Sequence, residues 1–448
     1  MNRIPFHSRP ALLASLLLLG PGCTEDSPDA DVGADKAEQA EGHGGKADGV
    51  DICAAWDWYD DDFCDDPYGW CDLPDPDCGA DGDTCPQGST WSGLADEGCI
   101  ADAGVPAVFS EPEVIGARGS TAFELRAWAR VAVDHADRVH VVYVGQGTQP
   151  TYAAEGDGWQ PHVLDEQYVR GGLAVAADTQ VHVAYVDSSY RLRSLLVDDA
   201  VVVDRDDPVS VAHSVGIAVG PSDTHIVHGS GSNANRLTAR TGEIGDMQVQ
   251  PISDLGSTVA APESPAVVVD QRGGVHVSYG TRPAAYDFRG GSVLRYAHRD
   301  PTGTWSDEVV VGATRDGGSL TVSANGAPLA VYRGFVDGEQ TLMSAQRRDG
   351  TEGPWEVSPV FGPGVYGASP AVATAGDGTL HVVYRASGSV LQHASRPLGE
   401  GWSEQTVLDP SVAMSASDRV SLAIASDDAL HIVYSDTQTR EVRYVTRP

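Results

Sequence analysis

The sequence predicts an all-β fold, a seven-bladed β-propeller closed by its own N-terminal strand and preceded by a small disulfide-rich module. Three observations predict it. A strand–turn–strand signature recurs seven times along the second part of the chain. Its spacing, 42 to 53 residues, suits one four-stranded blade per repeat. The last repeat stops short of an outer strand, and a segment near residue 109 can supply it.

The signature is a small apolar strand, a tight polar turn, then apolar-His-apolar-apolar-Tyr. It first reads Val131-Ala132-Val133-Asp134, a turn, and Val139-His140-Val141-Val142-Tyr143. It returns around His182, His225, His276, Leu329, His381 and His431. Alternation of this kind marks strands, and the Gly and Asp turns between them mark hairpins. A third strand follows in each repeat, such as Leu294-Arg295-Tyr296-Ala297. A fourth often opens with Trp: Trp159, Trp305, Trp355 and Trp402. After the seventh third strand, Val442-Arg443-Tyr444-Val445, no fourth follows. Phe109-Ser110-Glu111-Pro112-Glu113-Val114 matches the Trp402 strand, with Phe in the Trp place. Pairing it with the last blade removes two open sheet edges, so closure has a physical reason.

The repeats resemble those of sialidase-like and related propellers of large exported bacterial proteins, over residues 104–448. That resemblance implies an architecture. It leaves the activity open, because propellers host unrelated functions.

Ahead of the repeats lie three shorter regions. Arg3 and Arg9 give a positive start ahead of the apolar run Ala11 to Leu19, which is too short to span a bilayer. Gly20-Pro21-Gly22-Cys23 follows and resembles a lipobox, so residues 1–23 read as a lipoprotein signal peptide with its lipidated Cys23. The resemblance implies an exported, lipid-anchored protein at the outer membrane or cell surface; Thr24 after the Cys favours the outer membrane. Residues 24–50 lack large apolar side chains and read as a disordered acidic tether. Residues 51–103 hold Cys53, Cys64, Cys71, Cys78, Cys85 and Cys99, and no Cys follows them. An even cluster in an exported chain reads as three disulfides of open connectivity. The run from Cys64 to Cys78 resembles part of a Notch/Lin-12-type repeat. Clustered hard carboxylates there suit Ca²⁺, with Asp65, Asp72, Asp75 and Asp77 as ligands. The plainer reading is an acidic, solvated surface.

The formal net charge of -35 repels nucleic acid phosphates and anionic headgroups. Membrane contact is therefore expected through the lipid alone, and a monomer is expected.

The six repeat histidines look like a metal set but occupy the same place in different blades. Each is expected to satisfy a polar group inside its own blade. The repeat tyrosines and the outer-strand tryptophans are expected to be packing. Loops after the second strands should gather on one face, bringing Arg282, Arg333, Arg385, Asp187 and Asp436 there. Loops entering the first strands add Trp128, Arg130, Arg170, Glu263, Tyr366, Asp418 and Arg419. Three arginines could clamp a carboxylate bidentately, as the sialidase resemblance implies. An aromatic such as Trp128 or Tyr366 could stack on a sugar. The Asp-box of sialidases is absent, as are a Gly-x-Ser-x-Gly elbow, a His-Glu-x-x-His helix and a phosphate loop. Three classes of function stay open. The first is non-catalytic binding of a glycan, peptide or protein at the propeller face. The others are a sialidase-like glycoside hydrolase or lyase, and a structural envelope protein.

Overall fold

The computed structural model describes residues 89–91, 99–101, 109–118, 129–197, 211–230, 236–255, 262–282, 292–314, 318–323, 325–347, 350–361, 368–386, 390–403, 406–409, 412, 414 and 419–448. The chain divides into two compact units, Met1–Pro106 and Ala107–Pro448. In the first, Ser89–Trp91 and Cys99–Ala101 form an antiparallel hairpin. The lipobox, the tether, the carboxylates expected to hold Ca²⁺ and the pairing of the cysteines lie outside the described residues.

The second unit is a seven-bladed β-propeller. Blade 1 runs outward through Ala129–Val133, Val139–Val144, Pro150–Ala154 and His162–Val163. Blade 2 has Val169–Ala177, Val181–Asp187 and Leu192–Val197 among the described residues. Blade 3 has Val211–Val219, Thr224–Ser230, Arg236–Gly242 and Gln248–Asp254. Blade 4 has Glu263–Val269, Val275–Thr281, Ser292–Arg299 and Trp305–Thr314. Blade 5 has Ser319–Val322, Pro328–Val336, Glu339–Gln346 and Glu356–Pro359. Blade 6 has Ala368–Thr374, Leu380–Arg385, Leu391–Arg396 and Thr406–Asp409.

Blade 7 takes Ser421–Ile424, Leu430–Asp436 and Glu441–Arg447 from the end of the chain. Its fourth strand is Glu113–Ala117, paired antiparallel with Arg443 opposite Val114 and Glu441 opposite Ala117. The closure expected from the sequence is present, with the paired strand running a few residues further than the Phe109–Val114 match. Ahead of it, the Ser110 N–H donates to the Thr446 carbonyl at 2.8 Å.

The apolar core lies between blades. Each of the seven buried clusters joins two neighbouring sheets, and Ile115, Tyr143, Trp159, Val442 and Tyr444 belong to the one across the seam. The repeat tyrosines, from Tyr143 to Tyr434, are fully buried in these layers. The outer-strand aromatics pack backwards onto the preceding blade. Trp159 of blade 1 lies 5.0 Å from the Tyr444 ring of blade 7. The Trp305 Nε1–H of blade 4 donates to Gln250 of blade 3 at 3.3 Å, and that of Trp355 in blade 5 to Glu308 of blade 4 at 3.2 Å. Phe109 does the same for blade 7, edge-on to His393 of blade 6 at 5.2 Å. Its place in the repeat is therefore that of the Trp.

At two inner-strand positions the neighbouring blade is too close for a side chain. A Cβ on Gly172 would strike the backbone of Ser214 and Val215 in blade 3. One on Gly216 would stand 2.6 Å from the Pro265 carbonyl of blade 4. Backbone cannot move aside as a rotamer can. Gly172→Ala and Gly216→Ala are each expected to cost about 1–3 kcal/mol, read as a lower urea midpoint. Unchanged midpoints would mean that the inner strands separate freely.

Candidate functional site

The first strands of all seven blades enclose a cavity of about 420 Å³ on the axis. Its wall is built of small side chains and backbone, because seven strands converge there. Serine hydroxyls tie neighbouring inner strands together. Ser421 Oγ accepts from the Val131 N–H at 3.2 Å, Ser319 Oγ from Val372 at 3.2 Å, and Ser214 Oγ from Ser264 at 3.0 Å. Thr321 and Thr374 share a hydroxyl bond of 2.8 Å across blades 5 and 6.

Among the described residues that line this cavity, the charged ones are Arg130 and Arg419. Arg130 enters from blade 1 and Arg419 from the segment leading into blade 7, both where the inner strands begin. The Arg419 guanidinium donates to the Ser264 hydroxyl of blade 4, on the far side of the ring. Arg130 Nη1 donates to its neighbour's carbonyl, Ala129, at 3.0 Å. Burial, and then repulsion from Arg419, draws the Arg130 pKa down to about 9. The pair thus concentrates positive charge inside a protein of net charge -35.

Ser264 is held in an unusual backbone conformation, with φ of +54° immediately before Pro265. Ser369, before Pro370 in blade 6, has φ of +51°. In both blades the register of the inner strand shifts at this point. Positive φ at a residue with a side chain costs about 1–3 kcal/mol and persists where the surroundings impose it. Both Ser-Pro bulges sit on the cavity wall or its rim, and bulges of this kind re-aim side chains. The repeated Ser-Pro-Ala-Val was a signal in the sequence that strand patterning alone passes over.

The other residues expected on this face are placed as follows. Arg282 follows the second strand of blade 4 and pairs with Glu263 at 2.9 Å, both groups being substantially exposed. Arg333 and Arg385 lie within strands, one residue past the repeat tyrosine rather than three, and Arg385 is buried. Asp187 and Asp436 are buried too. Asp187 accepts from the Ser189 and Arg191 N–H groups at 2.8 and 2.9 Å and from Arg193 Nε at 3.2 Å. Asp436 accepts from Gln438 and Thr439 and pairs with Arg443 at 3.2 Å. Both carboxylates are thereby engaged in shaping their own hairpins. Arg170 lies over the Tyr190 ring at 4.5 Å. Trp128, Tyr366 and Asp418 lie outside the described residues.

The repeat histidines sit in their blades and bond there, as expected. His140 reaches Tyr152 Oη at 2.8 Å and Asp134 at 3.1 Å. His431 reaches Tyr444 Oη at 2.7 Å, and His381 reaches His393 at 3.1 Å. His182 also bonds across a blade boundary, to Thr224 at 3.0 Å. The partners are mostly third-strand side chains, which the sequence reading had not identified.

No protein-family model matches the chain, and no curated protein sequence matches it. Among solved structures it is similar to the fucose-specific lectin of Aleuria aurantia, 15% identical with a TM-score of 0.41 over 64% of this chain and 97% of that one. AofleA from Arthrobotrys oligospora is 11% identical, with a TM-score of 0.45 over 61% and 82%. The polysaccharide lyase Uly1 is 13% identical, with a TM-score of 0.46 over 74% and 91%. At such identity and overlap these neighbours say nothing of this chain's ligand.

Proposed function

We propose that this is a non-catalytic binding protein of the cell surface, whose propeller takes an anionic group of a glycan or peptide at the axial cavity. One observation carries the reading: Arg130 and Arg419 line that cavity together, one from blade 1 and the other from the segment leading into blade 7. An anion seated between two guanidiniums gains from both charges at once. The Ser264 hydroxyl, beside Arg419, adds a polar contact from the opposite wall. A carboxylate or sulfate fits guanidinium geometry bidentately.

The N-terminal parts complete the proposal. Cys23 carries the lipid, residues 24–50 extend the propeller from the outer membrane, and residues 51–103 form a disulfide module that binds Ca²⁺ through Asp65, Asp72, Asp75 and Asp77. The acidic remainder of the surface turns nucleic acid away and leaves the cavity as the anion's entry.

The test uses the mature chain on an array of neutral and acidic glycans and carboxylate-ended peptides. Wild type is expected to retain a subset of acidic ligands. Arg130→Ala/Arg419→Ala should weaken that retention about 10- to 100-fold, as the loss of charge-assisted bonds implies. Equal retention by the double variant, or retention of neutral ligands only, sinks the proposal.

A further inference from the structure

We propose that blade 4 binds a divalent transition-metal ion, Zn²⁺ by ligand type, through Asp270, His276 and His298. This site lies at the far end of the inner strands from the arginine pair and is independent of the binding function proposed above.

The three ligand atoms lie within 4.8 Å of one another. His276 Nε2 and Asp270 Oδ2 are 3.1 Å apart, and the two imidazole rings are 4.8 Å apart between centroids. Ligand atoms around a tetrahedral Zn²⁺ are about 3.4 Å apart, given bonds of about 2.0–2.2 Å. A side-chain movement of about 1 Å therefore closes the set on an ion. Two imidazoles and a carboxylate are ligands of Zn²⁺ sites that keep a position open.

Blade 1 serves as an internal comparison. It has the same turn and the same network: Asp134 Oδ1 accepts from the N–H groups two and four residues on, and His140 bridges Asp134 and Tyr152. In blade 4, Asp270 Oδ1 likewise accepts from Arg272 and Gly274, both at 2.8 Å, and His276 bridges Asp270 and Tyr296. The blades differ at two places. Four residues past the Asp, blade 1 has Arg138, whose guanidinium covers Asp134 Oδ2 at 2.7 Å. Blade 4 has Gly274 there. Opposite the repeat histidine, blade 1 has Ala154, and blade 4 has His298. Blade 1 meets its carboxylate with a fixed cation. Blade 4 removes that cation and adds a metal-binding side chain.

Gly274 leaves the necessary room. A Cβ there would stand 2.7 Å from Asp270 Oδ2 and 3.1 Å from His298 Nε2. The space it would fill is the space between two of the ligands. The surroundings also pre-orient the set. Backbone N–H groups hold Asp270 Oδ1, so Oδ2 faces the imidazoles. Tyr296 Oη, 2.7 Å from His276 Nδ1, can donate to that nitrogen or accept from it. It therefore supports His276 Nε2 as an N–H toward Asp270 or as a lone pair toward a metal, the usual outer-shell role. Burial draws the His276 pKa down to about 4 and lowers that of His298. Burial raises Asp270, but the bonds from His276 and the turn outweigh it and hold its carboxyl below the usual range.

The experiment uses the full chain, stripped with a chelator and titrated with Zn²⁺ by calorimetry and with Co²⁺ by visible absorption. Wild type is expected to take one more Zn²⁺ per chain than His298→Ala, whose affinity at this site falls about 100-fold or more. The wild-type minus variant Co²⁺ spectrum should show ligand-field bands without thiolate charge transfer, which separates this site from the cysteine module. Gly274→Arg keeps all three ligands and installs the guanidinium of blade 1; it should lose the same ion. It also covers the case in which His298→Ala misfolds, which circular dichroism would reveal. Equal Zn²⁺ uptake by wild type and a folded variant overturns the proposal, as does a difference spectrum with sulfur bands.

Discussion

Lowering the pH from 7 to 4.5 is expected to remove several kcal/mol of the propeller's stability. Burial, followed by repulsion from nearby cations, draws the pKa of His225 and of His381 down to about 4. His393 falls further, to about 3, and shares a hydrogen bond with His381. In the unfolded chain each imidazole titrates near 6.5. Below that value the unfolded chain binds protons that the folded chain refuses, so stability is complete above pH 6.5 and is lost as pH falls toward 4. Each of these imidazoles, and His276, which burial likewise draws down to about 4, contributes roughly 2–3 kcal/mol of that loss at pH 4.5. Asp134, held at about 2 by its bonds to the turn, His140 and Arg138 against the opposing effect of burial, loses its contribution only below its unfolded value near 3.8. The window between pH 6.5 and 4 therefore belongs to the histidines. Urea titrations at the two pH values measure the loss directly. His225→Gln should reduce the loss by roughly a quarter. Equal stability at pH 7 and 4.5 would mean that these imidazoles are protonated in the fold.

The second large effect concerns the seam. Ile115 is 3% exposed and packs among Tyr143, Val442 and Tyr444 of blades 1 and 7. Truncating it to Ala should cost about 2–5 kcal/mol, the usual range for a buried aliphatic. Ile115→Asp adds an unpaired buried charge and is expected to detach the closing strand altogether. The neighbouring residue supplies the control: Val114 is 51% exposed, and Val114→Asp should stay within about 0.5 kcal/mol of wild type. Urea midpoints and limited proteolysis ahead of blade 1 separate the cases. If both Asp variants unfold alike, strand pairing rather than this apolar contact carries the closure.

The two predictions draw on features of unequal legibility. Strand alternation and the repeat spacing exposed the blades, and the missing strand after Val445 exposed the closure, because a propeller leaves so few ways to satisfy an edge. The backward packing of Phe109 followed from its match to Trp402. The histidine partners were not legible, since they depend on which third-strand residue faces each imidazole, and turn length sets that. Arg130 and Arg419 could be placed on one face but not singled out from Arg282, Arg333 and Arg385. What distinguishes them is which side of a strand faces the axis, and two Ser-Pro bulges alter that register. Asp187 and Asp436 looked like open loop carboxylates; their hairpins turn them inward. The difference between blades 1 and 4 was present in the sequence as Arg138 against Gly274 and Ala154 against His298, but only cross-strand register makes those positions neighbours.

The seam also dictates an order of events. Ser110 and Thr446, which bond to each other, are 336 residues apart. At about 5–20 residues per second, a ribosome takes tens of seconds to travel between them. Throughout that interval the strand Glu113–Ala117 has no partner, and six growing sheets stack beside an unfinished seventh. Ring closure is therefore the last step in pairing the propeller's strands, and its delay is a property of where the circle is cut. A circular permutant that begins between two intact blades would complete every sheet locally as it emerges, and would exchange this long wait for a junction held by side-chain packing alone.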